Sequence, residues 1–119
     1  MLVGVDDPAV RWRDRNADVS ELPLLPPGET DDVVVLLKHQ PTVDPAAVGR
    51  FDLQLSGHTH GGQVFPFLWF TRLFYDYGPG LHDLGDGSLL YVSRGTGTWG
   101  PPFRLAAPPE VTLVELRQK

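Results

Sequence analysis

A chain of 119 residues, 41% hydrophobic and 21% charged, falls within ordinary globular usage and the size of one domain, which excludes a disordered or fibrous class. Its formal charge of -5, with ten basic residues dispersed along the chain, excludes a broad nucleic-acid surface. With no cysteine, disulfides and thiolate metal sites are excluded too, so any metal must be held by nitrogen and oxygen ligands.

In chain order, Leu2 to Val5 is a short apolar run halted by Asp6-Asp7-Pro8, the pattern of a buried strand entering a turn. A helix is expected from about Pro8 to Asn16, with Asp6 or Asp7 as its cap. Residues 21–30 hold three prolines and a glycine and are expected to be a connector. Val33 to Leu37 is a continuous β-branched and leucine run, which predicts a strand covered on both faces, with His39 just past its end. Such runs are far too short to cross a bilayer and no signal peptide opens the chain, so it is expected to be soluble as given, its compartment undetermined.

One helical turn is expected at Pro45 to Val48. Phe51 to Leu55 then alternates as a strand and stops at Ser56-Gly57, which places His58 and His60 after a strand end. Gln63 to Phe65 is a further short strand. An aromatic loop, residues 65–82, carries Phe67, Trp69, Phe70, Phe74, Tyr75 and Tyr77. Gly85-Asp86-Gly87 is a hairpin-type turn leading into a strand at Ser88 to Ser93, and Val111 to Arg117 is expected to be the last strand.

Imidazole is a common ligand for zinc, manganese and iron, and two histidines one residue apart at a strand exit can face one small volume. Glycines at 57, 61 and 62 let the backbone approach a ligand closely, and His39 follows another strand. Asp6 and Asp7 read as capping residues in preference to ligands, and His82 as solvent-exposed. Arg94 and Arg104 lie in Gly/Pro-rich loops, where a guanidinium suits phosphate oxygens or, equally, anchors the loop through carbonyls or Glu110. The aromatic loop completes a core, touches an apolar or glycan part of a substrate, or rests on a membrane.

Leu53-Gln54-Leu55-Ser56-Gly57-His58-Thr59-His60-Gly61-Gly62-Gln63 resembles the last metal-binding motif of the calcineurin-like metallophosphoesterases, and Leu36-Leu37-Lys38-His39-Gln40-Pro41 the motif before it. The stretches Tyr91 to Arg104 and Pro108 to Thr112 resemble the end of one bacterial branch of that family, and Gly4-Val5-Asp6-Asp7 fits the strand after its central motifs. The resemblance implies an α/β (α+β) fold: the C-terminal half of a four-layer αββα sandwich, with residues 1–119 forming one partial domain. By position, His39 and His58 would ligate one metal and His60 the other. Two divalent ions of the Mn, Fe, Zn or Mg class serve the intact family, and at most one is expected here alone.

The resemblance implies hydrolysis of a phosphomonoester, phosphodiester or pyrophosphate in a phosphorylated small molecule or lipid-linked substrate. The family's earlier Asp-x-His and Gly-Asn-His motifs do not occur in this sequence, and no Gly-Asp pair precedes its histidine motifs. The chain is therefore expected to be inactive alone, and to expose sheet edges and an apolar face unless an N-terminal half-domain or a second copy covers them. The alternative is a catalytically inactive remnant or half-domain that must join a separate N-terminal half. The compartment of an intact family member stays open, with membrane association and export among the alternatives.

Overall fold

The computed structural model describes residues 1–28 and 30–117. Five strands, β1 (Leu2–Gly4), β2 (Val35–Leu37), β3 (Leu53–Ser56), β4 (Gly80–Gly85) and β5 (Ser88–Val92), form one mixed sheet in the order β1-β2-β3-β5-β4. β1, β2, β3 and β5 are parallel, and β4 closes the far edge antiparallel to β5. The Val- and Leu-rich runs at 2–3, 35–37 and 89–92 become strands because branched side chains fit a pleated, covered surface.

Between the parallel strands the chain makes single 3-10 turns. Those at Pro8–Trp12 and Pro45–Ala47 are built alike: the Asp7 and Asp44 carboxylates accept from the amides of Ala9 and Ala46, and proline opens each turn. The helix expected over 8–16 thus stops at Trp12. Asp14 turns its carboxylate to the amide of Asn16, a local bond that competes with helix propagation. Asp86 and Gly87 both have positive φ, 48° and 79°, as the two-residue hairpin between β4 and β5 requires.

One face of the sheet carries the core. Val3, Leu36, Gln54 and Leu90 lie in register across four strands and are buried. Val3 and Leu36 join Leu25, Val34, Ala47 and Phe51 in one cluster. Leu25 belongs to the 21–30 connector, which is irregular as expected yet held tightly. Arg50 donates to the carbonyls of Leu22, Leu25 and Pro26, and Lys38 Nζ reaches Glu21 Oε1 at 2.6 Å, with both side chains almost wholly buried. Glu29 of that connector lies outside the described residues.

The other face is open. Leu37, Leu55, Tyr91 and Leu81 form its central row by register, and of these Leu81 is 62% exposed and Leu37 40%; Leu2, on the same face, reaches 69%. The expectation that 33–37 is covered on both faces therefore fails at Leu37, because among the described residues no helix or strand is layered over it, only part of the irregular tail. An exposed apolar face and an unpaired β1 edge accord with the expected partial sandwich.

Three further expectations are corrected. The aromatic loop 65–82 contains α1 (Phe67–Thr71) and the start of β4. Gln63 to Phe65 contributes only a bridge between Val64 and Leu105. Val111 to Arg117 forms no strand; the tail is held by side chains, Tyr91 Oη donating to Glu110 and the Thr112 hydroxyl to Glu110 Oε1 at 2.9 Å, and it has no ladder partner among the described residues.

Candidate metal centre

The carboxyl ends of parallel strands are where an open sheet gathers its functional side chains. Here β1 leads to Asp7, β2 to His39, and β3 to His58 and His60. The ladder continues beyond the regular strands: the Lys38 amide donates to Leu55 O at 3.1 Å and the Gly57 amide to His39 O at 2.9 Å. These two bonds tie the His39 backbone to the loop bearing His58.

That loop departs from ordinary backbone geometry. His58, His60 and Gln63 have φ of 65°, 50° and 51°, a left-handed conformation uncommon outside glycine and often concentrated at functional sites. Gly61 and Gly62 follow at 61° and 79°. The reversal turns His58 back toward His39.

His58 Nδ1 and His39 Nε2 stand 3.1 Å apart, with the rings edge to face at 4.9 Å between centroids. Two nitrogens coordinating one ion at about 2.0–2.1 Å sit about 3 to 3.4 Å from each other, so this spacing suits a shared cation. The Asp7 carboxylate completes the group. Its Oδ2 is 4.0 Å from His39 Nε2, and one ligand atom from each of Asp7, His39 and His58 lies within 4.8 Å of the others. Among the described residues this is the one such cluster of three.

The surroundings hold these groups in place. Gln40 Nε2 donates to both Asp7 oxygens at 3.2 and 3.3 Å, while Gln40 Oε1 accepts from Tyr75 Oη at 3.3 Å. The Tyr75 ring in turn meets His58 edge to face at 5.5 Å. Burial, with the neighbouring His39 next in weight, pushes the His58 pKa below its ordinary value, against a smaller upward pull from Asp7. Because the folded-state pKa is lowered, the neutral ring is the form present at pH 7, and its lone pair is free for a cation. Two imidazoles and one carboxylate form a donor set suited to a borderline divalent metal.

His60 is placed apart from this group. Its Nδ1 lies 3.3 Å from Arg104 Nη2, and since a guanidinium only donates, the neutral ring in this arrangement carries its proton on Nε2. Arg104 also donates to the carbonyls of His60, Arg94, Gly95, Gly97 and Ala107. Arg94 pairs with Glu110 at 3.3 Å. Both arginines thus make loop contacts, Arg94 to Glu110 and Arg104 to backbone carbonyls. His82, expected in solvent, is half-buried on β4, donating to Gly78 O at 2.7 Å with its ring against Tyr77. Asp7 is the one member of the cluster that sequence reasoning set aside; its cap bond to Ala9 is real, but the carboxylate's other oxygen faces His39.

A groove of about 470 Å³ runs from His39 along the open face, between Leu37, Leu55 and Tyr91 and under Val114 of the tail. His39 is thus shared between this groove and the cluster.

The chain is 40% identical over its full length to an uncharacterized metallophosphoesterase of Aquifex aeolicus, spanning 46% of that protein. It is 47% identical over 76% of its length to an uncharacterized metallophosphoesterase of Campylobacter jejuni, spanning 24% of it. It is 34% identical over 98% of its length to a Danio rerio protein named transmembrane protein with metallophosphoesterase domain, spanning 28% of it. The chain thus covers less than half the length of each of these relatives. No family model matches the chain. No solved structure matches it either.

Proposed function

The chain belongs to the metallophosphoesterase family, and from that premise we propose that it contributes the histidine-bearing half of a metal-dependent phosphoesterase site. The observation that carries this reading is the convergence of His39, His58 and Asp7, from three different strand ends, within 4.8 Å. Asp7, His39 and His58 would hold one divalent ion, which supplies Lewis acidity toward a phosphoryl oxygen and lowers the pKa of water. The chain's own groups set orientation: Gln40 fixes the carboxylate, Tyr75 braces Gln40 and His58, and the left-handed turn aims the His58 ring.

His60 is the residue we assign to a second ion, which it reaches only by turning from Arg104 once another segment brings further carboxylates. Without those, two divalent charges in one site remain uncompensated. The substrate class is a phosphomonoester, phosphodiester or pyrophosphate, in a small or lipid-linked molecule. The open sheet face favours a companion reading, in which a preceding half-domain or a second copy lies over Leu2, Leu37 and Leu81. No helix among the described residues is long and apolar enough to cross a membrane.

The test is complementation. With Mn²⁺, the pure chain is expected to release no nitrophenol from bis-p-nitrophenyl phosphate, and activity is expected on adding a separate half-domain that carries the family's Asp-x-His motif. Activity in neither condition would leave an inactive remnant as the better description.

A further inference from the structure

Directly beside the candidate metal centre the chain exposes a cluster of large apolar side chains. Phe65, Phe67, Trp69, Phe70, Leu73 and Phe74 project from α1 and its flanks, each more than half exposed. A second segment stands next to them. Val64 bridges Leu105, Gln63 Nε2 donates to the carbonyls of Trp99 and Pro101 at 2.8 and 3.0 Å, and Gln63 Oε1 accepts from the Trp99 amide. These bonds bring Trp99, Phe103 and Leu105, again more than half exposed, onto the same side as α1.

Charge is segregated to match. None of the 15 acidic residues lies in 53–75 or 87–109, although the chain carries a net charge of -5. Those stretches instead carry Arg72, Arg94 and Arg104. The acid-free part of an acidic protein is therefore the part that bears the aromatic cluster.

From these observations we propose that α1 and the 99–105 loop form a docking surface for a phospholipid bilayer. Trp and Phe at high density in a stretch without acidic residues, with Arg72 among them, is the chemistry that settles at the headgroup and acyl boundary. No residue of α1 is buried, and Leu68 backs against Gly62 while the larger side chains point outward. A projecting turn of this kind is covered by a medium that surrounds it, as a bilayer interface does, more fully than by a flat protein face. Tyr75 against His58 joins the surface to the candidate centre, so docking would set that centre at headgroup level.

The proposal extends the functional reading toward a lipid-linked substrate but needs no ion, so vesicle binding and phosphoesterase activity fail independently. The test is co-sedimentation of the full chain, without metal, with phosphatidylcholine and mixed phosphatidylcholine–phosphatidylglycerol vesicles. Trp12→Phe leaves Trp69 and Trp99 as the emitters. Their emission is expected to shift blue on vesicle addition and to be quenched by brominated lipid. Phe70→Ser with Phe74→Ser is expected to weaken vesicle partitioning by at least about tenfold, given the apolar area removed, while Leu113→Ser, a still more exposed control, leaves it unchanged.

Equal loss with Leu113→Ser would show general stickiness and overturn the proposal. So would an unmoved emission spectrum, including the case where sedimentation velocity shows a dimer that Phe70→Ser with Phe74→Ser dissolves. Circular dichroism of each variant excludes misfolding as the cause of any loss.

Discussion

Glu21→Ala is expected to lower stability by about 3–5 kcal/mol, because it leaves the Lys38 ammonium buried without its partner. The pair joins the connector to the end of β2, at 2.6 Å, with the two side chains only 10% and 3% exposed. Typical domains have about 5–15 kcal/mol in total, so this one change removes a large part of what holds the fold. In a thermal melt the midpoint should fall by on the order of ten degrees or more. Adding Lys38→Met should restore most of the loss, since the cost lies in the unpaired charge and not in the absent pair. A Glu21→Ala midpoint equal to that of the parent would mean that the ammonium is solvated.

Gly62→Ala is expected to be the most damaging small substitution in the site loop. A β-carbon at Gly62 would stand 2.3 Å from Leu68 N and 2.4 Å from Leu68 Cα, both backbone atoms of α1, and φ there is +79°. Backbone cannot step aside as a side chain can, so either α1 lifts away or the turn changes hand. Overpacking and left-handed strain together cost about 2–5 kcal/mol. Gly61→Ala also meets a positive φ, but its neighbour is the flexible Arg94 side chain, at 3.1 Å, and the penalty should be smaller. Differential scanning fluorimetry of the two variants should rank them in that order. Equal midpoints would contradict the close approach of α1 to the histidine turn.

The strands that could be read from sequence are those where composition and burial agree. Val33 to Leu37 and Ser88 to Ser93 are rich in Val and Leu, and both became strands, one shortened to Val35–Leu37 and the other to Ser88–Val92. β4 was hidden because Gly80-Leu81-His82-Asp83-Leu84-Gly85 has no β-branched residue. Its only signal was the Asp86-Gly87 turn, which demands a strand on each side. α1, at five residues, is too short for a helical period to register. Val111 to Leu116 has the right pattern for a strand and lacks only a neighbour to pair with, a condition no local pattern reports.

The site divides in the same manner. His58 and His60 stood out by their glycine-flanked motif and His39 by its place after a strand; the fold brings His39 and His58 together and turns His60 to Arg104. Asp7 did not, because Asp-Asp-Pro is sufficient to explain a capped turn, and the second use of the carboxylate depends on β1 lying beside β2. The pairing of His60 with Arg104 spans 44 residues and had no local signature.

The central claim, that Asp7, His39 and His58 together hold a divalent ion, is tested most directly by calorimetric titration of the chain with Mn²⁺ or Zn²⁺ at pH 7. The parent chain is expected to bind one ion, and His58→Ala and Asp7→Asn each to weaken binding by at least about tenfold, while His82→Ala binds as the parent does. Parent-like binding in both His58→Ala and Asp7→Asn, or an equal loss in His82→Ala, would contradict the account.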